Sequence, residues 1–284
     1  MVQRCVLLIC LALVRLSAAE PAIGTLDRGW KLVWSDEFNT PGRPDPAKWD
    51  YERGFVRNHE PQWYQPDNAQ VAGGLLLIEA RREKVPNPNY VAGAKEWTRS
   101  RAFAEYTSSS LITRGRQSWT YGRFEVRGRV DTRQGLWPAF WFLGDKGGWP
   151  SCGEVDLMEW YEGKLLANAC WGPDPAHQTW RTTRRGWDEM AGLYPPRAHR
   201  DLEDWSKAFH TWTMEWDESH LVLSVDDRTL NTVDVAAATV GADHPFRKPM
   251  HMILNLAVRA ADHPERTTFP AKLEVDWVRV WQRP

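Results

Sequence analysis

Apolar and polar positions alternate with a period of two over many short runs, each closed by glycine, proline, asparagine or aspartate, and this pattern predicts strands. Trp30 to Ser35 alternates, and Pro41 to Pro46 then breaks the chain. Val71 to Ala80 reads as a turn and a buried strand, followed by strands at Thr107 to Thr113, Gly122 to Val130, Leu136 to Leu143 and Leu165 to Trp171. Gly172 to Ala208 is a long stretch rich in Arg, Pro and Trp that predicts irregular structure, with a helical pattern only around Arg200 to Phe209. Regular strands return at Thr211 to Trp216, His220 to Val225, Leu230 to Val235, His251 to Val258 and Leu273 to Trp281. There are no repeats and no low-complexity linkers, so the pattern predicts one all-β domain built as two stacked antiparallel sheets.

One strand breaks its own alternation. Gly153-Glu154-Val155-Asp156-Leu157-Met158-Glu159-Trp160 places three carboxylates in a run that is otherwise apolar. Charge at that density in a buried strand is costly unless it is used or paired. Glu154 and Asp156 share a face by parity, whereas Glu159 falls on the other. A β-bulge at Leu157-Met158 would bring Glu159 back beside them, and bulges often sit next to active sites. Two carboxyls held about 5–5.5 Å apart suit a retaining glycosidase, one as nucleophile and one as proton donor. Taken alone, the spacing also fits a polar strand face or a cation site.

Composition narrows the choice. A net charge of −1 at pH 7 gives no reason to expect nucleic acid or an anionic membrane as partner. Tryptophan is abundant, 18 in 284 residues, and indole faces stack on sugar rings as readily as they fill a β-sandwich core. At the amino terminus Arg4, the apolar run Cys5 to Val14 and Ser17-Ala18-Ala19 read as a secretory signal cut after Ala19, with residues 20–284 as one domain. The apolar run is too short to span a membrane, so a soluble exported monomer, extracellular or periplasmic, is expected. Cleavage leaves Cys152 and Cys170 on either side of the acidic hairpin, where pairing and two separate thiols both remain open. No Cys/His cluster suggests zinc.

Other segments carry groove-like chemistry. In Gly135-Leu-Trp-Pro-Ala-Phe-Trp-Phe-Leu143, parity places Trp137, Ala139 and Trp141 on one face and Phe140 and Phe142 on the other, which makes Trp137 or Trp141 a candidate sugar platform. Arg57-Asn58-His59-Glu60-Pro61-Gln62-Trp63-Tyr64 mixes amide, acid and aromatic groups, as a sugar-binding loop or a solvated one would. Arg123 reads either as a group beside the site or as half of a surface ion pair. The basic run Arg181-Thr-Thr-Arg184-Arg185 is a solvated face or, near a groove, a contact for anionic sugars.

The acidic strand, with Gly135-Leu-Trp-Pro-Ala-Phe-Trp141 before it, resembles the active-site region of glycoside hydrolase family 16, in the laminarinase-like branch with the bulged E-x-D-x-x-E. Leu32-Val-Trp-Ser-Asp-Glu-Phe-Asn39, Arg57-Asn58-x-Glu60, Tyr121-Gly-Arg-Phe-Glu-Val-Arg127, Ile253-Leu-Asn-Leu-Ala-Val258 and Val275-Asp-Trp-Val-Arg-Val280 match family segments in order. The resemblance implies a lectin-like β-jelly-roll with a groove across one sheet. It implies Glu154 as nucleophile, Glu159 as acid/base and Asp156 as the group that positions the nucleophile. It further implies sugar contacts at Asn58, Arg123, Trp137 and Trp141, no organic cofactor, and a structural calcium held by Glu37 and Asp276.

Three departures fall where the groove should lie. Trp171-Gly172-Pro173 stands where laminarinases carry His-Gly-Pro, which places Trp171 among the candidate substrate contacts. Ser110 stands where Arg is common, and Arg259-Ala260 replaces Gly-Gly. The reading is therefore a secreted, retaining endo-glycoside hydrolase acting on a polysaccharide, with a β-1,3- or β-1,3/1,4-glucan as substrate. The alternatives are a galactan hydrolase, a transglycosylase, and a non-catalytic sugar-binding module on the same fold.

Overall fold

The computed structural model describes residues 25, 26 and 29–284, so the proposed signal segment and Cys5 and Cys10 lie outside the described residues. Strands dominate and almost all pair antiparallel. One sheet has seven strands in the order Thr179–Arg185, Lys164–Trp171, Glu154–Tyr161, Leu136–Gly144, Met250–Val258, Ser110–Ile112 and Asp50–Tyr51. The other has nine, with Ala271–Gln282 at its centre between Trp30–Asp36 and Gly122–Arg129, followed by His210–Trp216, His220–Val225 and Arg228–Asp234. Leu75–Ala80 pairs with the first half of the 12-residue strand Ala271–Gln282 and carries Ala69–Ala72 on its outer edge.

The two sheets enclose one apolar core. Alternation supplies it from both sides: Phe140 and Phe142 from one sheet meet Phe124 and Val126 from the other, with the Phe124 and Phe142 rings edge-on at 5.1 Å. Gly128 has to be glycine, because a Cβ there would come within 2.7 Å of the Phe140 ring. Trp49, Trp205, Trp212 and Trp216 are fully buried, so much of the tryptophan content fills the core.

Two elements differ from the sequence reading. Thr107 to Thr113 is split into Tyr106–Ser108, which pairs in parallel with Gln62–Tyr64, and Ser110–Ile112, which joins the seven-stranded sheet. Gly172 to Ala208 is not irregular throughout. It contains the edge strand Thr179–Arg185 and two short helices, Trp187–Ala191 and Leu202–Ser206. Arg181, Thr182 and Thr183 in that strand gave little alternation to read, because an edge strand needs apolar residues on one face at most. The expected helical pattern near Arg200 corresponds to the second helix, capped by Asp201 through the Asp204 N–H at 2.8 Å.

Candidate active site

The acidic strand lies in the middle of the seven-stranded sheet, and its register shifts between Asp156 and Glu159. Across the neighbouring strand Phe140 pairs with Met158 and Trp141 with Asp156, which leaves Leu157 as the extra residue. Leu157 and Met158 both point into the core. The bulge therefore absorbs one step of parity and turns Glu159 to the same side as Glu154 and Asp156. A two-residue turn follows, with Glu162 at φ 51° and Gly163 at φ 71°, the backbone of a type I′ hairpin.

Register then fixes the rest of that face. Glu154 aligns with Leu143 on one side and with Cys170 and Trp180 on the other. Asp156 aligns with Trp141, Asn168 and Thr182, and Glu159 with Ala139, Leu166 and Arg184. With Asn255 and Ala257 from the next strand and Arg57 and Asn58 from a loop, these groups other than the fully buried Cys170 line an open groove of about 660 Å³.

Each catalytic candidate is held by neutral N–H donors. The Trp149 indole N–H donates to Glu154 Oε2 at 2.9 Å. Trp137 Nε1 donates to Glu159 Oε1 at 2.8 Å, and Asn168 Nδ2 donates to Glu159 Oε2 at 3.0 Å and to Asp156 Oδ2 at 3.1 Å. Trp141 is held by Asn255 Oδ1 at 2.7 Å, and Asn255 donates in turn to the Tyr64 hydroxyl at 3.0 Å. The Arg57 guanidinium lies over the Trp141 ring at 4.8 Å and is paired with Glu52. At the far end Arg259 stacks on Tyr161 at 3.9 Å and pairs with Asp262 and Glu162, so it packs behind the Trp137–Tyr161 aromatic pair.

Among the described residues no guanidinium or ammonium makes a hydrogen bond to the three carboxyls. Burial pushes Glu154 up to about 8, with the charge of Glu159 adding to the shift. Burial likewise pushes Glu159 up to about 7, against hydrogen bonds from the Trp137 indole, the Asp156 carboxyl and the Asn168 amide, which favour its charged form. Asp156, buried between them, is raised well above the usual carboxylate range by burial and then by its two neighbours. Three carboxyls raised together share at least one proton near neutral pH. That is what a proton-donating site requires.

Of the residues expected to contact sugar, Asn58, Trp137 and Trp141 line the groove. Arg123 does not. It sits on the outer face of the nine-stranded sheet, paired with Glu125 at 2.7 Å and Glu215 at 2.5 Å, because Phe124 and Val126 take the core side of that strand. Trp171 also leaves the groove. In Lys164–Trp171 the groove side is Leu166, Asn168 and Cys170, so Trp171 turns inward and packs edge-on against Phe246 at 5.6 Å. Glu37 and Asp276 do not fit a calcium ion: Arg279 grips Glu37 at 2.9 and 2.8 Å and Arg127 takes Asp276, so two guanidinium charges stand where a divalent cation would have to be. Among the described residues no group of three or more His, Cys, Asp or Glu is placed to hold a metal. Cys152 and Cys170 are separate buried thiols, since Cys170 pairs with Glu154 and Cys152 lies two residues beyond.

Trp149, Trp180, Asn168 and Asn255 were missed as groove residues. Asn168 carried a usable signal, as the one strongly polar residue within Leu165 to Cys170 and on the even positions that parity assigns to the face of Leu166 and Cys170. Trp149 and Trp180 carried none, since each comes from outside the predicted strands.

The family model for glycosyl hydrolases family 16 matches residues 80–279. The chain belongs to that family. It is 37% identical to a beta-glucanase of Rhodothermus marinus over 279 residues, 89% of this chain and 85% of that protein. It is 28% identical to a keratan-sulfate endo-1,4-beta-galactosidase of Sphingobacterium multivorum over 90% of this chain and 56% of that protein. A solved structure concerned with endo-acting O-glycanases that initiate mucin breakdown in the human gut microbiota superposes with a TM-score of 0.78 at 33% identity, covering 91% of this chain and 92% of that one. Family 16 membership makes the chain a glycoside hydrolase, and its two-sheet fold is that of the family.

Proposed function

We propose that this family 16 enzyme cleaves internal β-1,3 or mixed β-1,3/1,4 linkages of a glucan with retention of configuration. The observation that carries the reading is the bulged strand, which sets Glu154, Asp156 and Glu159 side by side on the floor of an open groove. An open groove admits a chain at its middle, which suits endo cleavage. In the first step Glu154 attacks the anomeric carbon as the glycosidic bond breaks, and the Glu159 proton passes to the departing oxygen. In the second, water gives a proton to Glu159 and adds to the same carbon, releasing Glu154 as carboxylate. The Trp149 indole N–H and the nearby positive charge of Arg57 favour the ionised Glu154 that attack requires. Asp156 sits between the two, on the same face of the strand, as the group that positions the nucleophile. The amino-terminal segment, outside the described residues, is the proposed export signal.

A galactose-containing glycan is the second reading, favoured by the similarity to the keratan-sulfate galactosidase and the O-glycanase structure. The test is release of reducing ends from laminarin, lichenan, agarose, κ-carrageenan and keratan sulfate, with Glu154→Gln as blank. Turnover of a glucan that vanishes in the variant supports the first reading. Turnover of galactans alone supports the second. Binding without turnover on any of them would leave a sugar-binding protein.

A further inference from the structure

Asn168 faces the carboxylate cluster from the next strand and is 2% exposed. Both of its amide hydrogens are committed there, one to Asp156 Oδ2 and one to Glu159 Oε2. Its own Oδ1 is buried with no hydrogen-bond partner. A buried acceptor left unpaired opposes folding. The opposite amide orientation would give up both N–H donations and set that oxygen against two carboxyls of which at least one is ionised. The side chain is therefore locked by the charges it serves, at the expense of its own acceptor.

We infer that Asn168 is a positioning residue for the reaction: by donating to Glu159 and Asp156 at once it fixes the Glu159 carboxyl and tunes how readily that group gives up its proton. The inference rests on the assignment of Glu159 as acid/base above. Trp137 holds one oxygen of Glu159 from the opposite strand and Asn168 the other, so the carboxyl is clamped between two neutral donors and cannot rotate. The other charged groups around it are Glu154 and Asp156 on its own strand, Arg184 on the edge strand, itself paired with Glu162, and Arg57, which faces Glu154 from its loop. None of these makes a charged hydrogen bond to Glu159. Its charged form is therefore favoured by neutral donors, Trp137 first, then Asp156 and Asn168, and of the two N–H donors only Asn168 also bonds Asp156. An N–H donor favours the charged form, so removing it strengthens the hold on the proton.

The test is the pH dependence of kcat and KM for wild type, Asn168→Ala and Asn168→Asp, on polysaccharide and on an activated aryl glycoside, with thermal melts run alongside. For Asn168→Ala the expected result is a roughly tenfold to hundredfold fall in kcat on polysaccharide, with KM little changed. Its alkaline limb should move to higher pH, and the aryl glycoside, whose leaving group needs less protonation, should suffer less. Asn168→Asp keeps the shape but places a fourth carboxyl in the cluster. It should be nearly inactive at neutral pH and recover as the pH falls, where the introduced carboxyl carries a proton and can donate again. Equal losses on both substrates, with the alkaline limb unmoved in Asn168→Ala and no acid recovery in Asn168→Asp, would overturn the inference and leave Asn168 as packing. A wild type inactive on every polysaccharide would instead remove the reading on which the inference rests.

Discussion

The outer faces of the two sheets are built from the same alternation and treat charge in opposite ways. On the nine-stranded sheet Arg123 pairs with Glu125 and Glu215, Arg127 with Asp276, Arg129 with Glu274 and Arg279 with Glu37. Every one of these carboxylates has a guanidinium. On the seven-stranded sheet Glu154, Asp156 and Glu159 crowd together and, among the described residues, are bonded by indole and amide N–H groups and by one another, not by guanidinium. A face that only has to be soluble neutralises itself. A face that has to move a proton keeps its carboxyls short of cations, since a guanidinium partner would hold them ionised, and accepts lower stability in return.

The largest effect that would break this contrast is on turnover. Glu154→Gln should lower kcat on the order of 10⁴-fold while leaving binding intact, read by reducing-end release and by affinity electrophoresis. Retained activity would put the nucleophile elsewhere. Glu159→Gln should cost about 10²–10⁴-fold on polysaccharide and far less on activated aryl glycosides, and equal losses would count against the acid/base role. Trp180, 38% exposed and in register with Glu154 across two strands, is the next test. Trp180→Ala should raise KM roughly fivefold, about 1 kcal/mol of stacking, with kcat held.

Stability sharpens the same contrast with a sign. The folded-state affinity of Glu154 for its proton is raised to about 8, so the folded protein binds more protons than the unfolded chain once the pH passes the ordinary carboxylate range near 4.5. Stability contributed by this cluster must then fall as pH rises toward 8. Glu154→Gln should accordingly raise the unfolding free energy by roughly 2 kcal/mol at pH 8 and by much less at pH 5, measured by urea unfolding at both. On the opposite sheet Arg127→Gln breaks a half-exposed pair and should cost at most about 1 kcal/mol, with no change in activity. A loss of activity there would mean that the two faces are coupled.

Much of this was legible in the chain. The Leu136 to Leu143 strand has the faces that parity predicts, Trp137 and Trp141 to the groove and Phe140 and Phe142 to the core. The bulge at Leu157-Met158 was readable because three carboxylates on a buried strand make sense only if they share a side. Arg123 by itself stays open between groove and ion pair, since alternation does not say which sheet a strand will join; the family resemblance chooses the groove, and the ion pair is what forms. Trp171 was misplaced because its position in a family motif outweighed its own parity.

What the sequence determined by itself is therefore local: the strands, their two-sidedness, and a triplet of carboxylates that a single bulge would bring to one face. Only the tertiary structure decided which outer face is the groove and which is a lattice of ion pairs, and only it brought Trp149, Asn168, Trp180 and Arg57 to the carboxylates from separate segments. The physical reason is that side-chain direction follows from the backbone repeat within a strand, whereas the neighbours across a sheet are set by long-range pairing and register. A hydrogen bond from Asn168 to Glu159 depends on the hairpin turn and the bulge together, and neither alone would place the amide there.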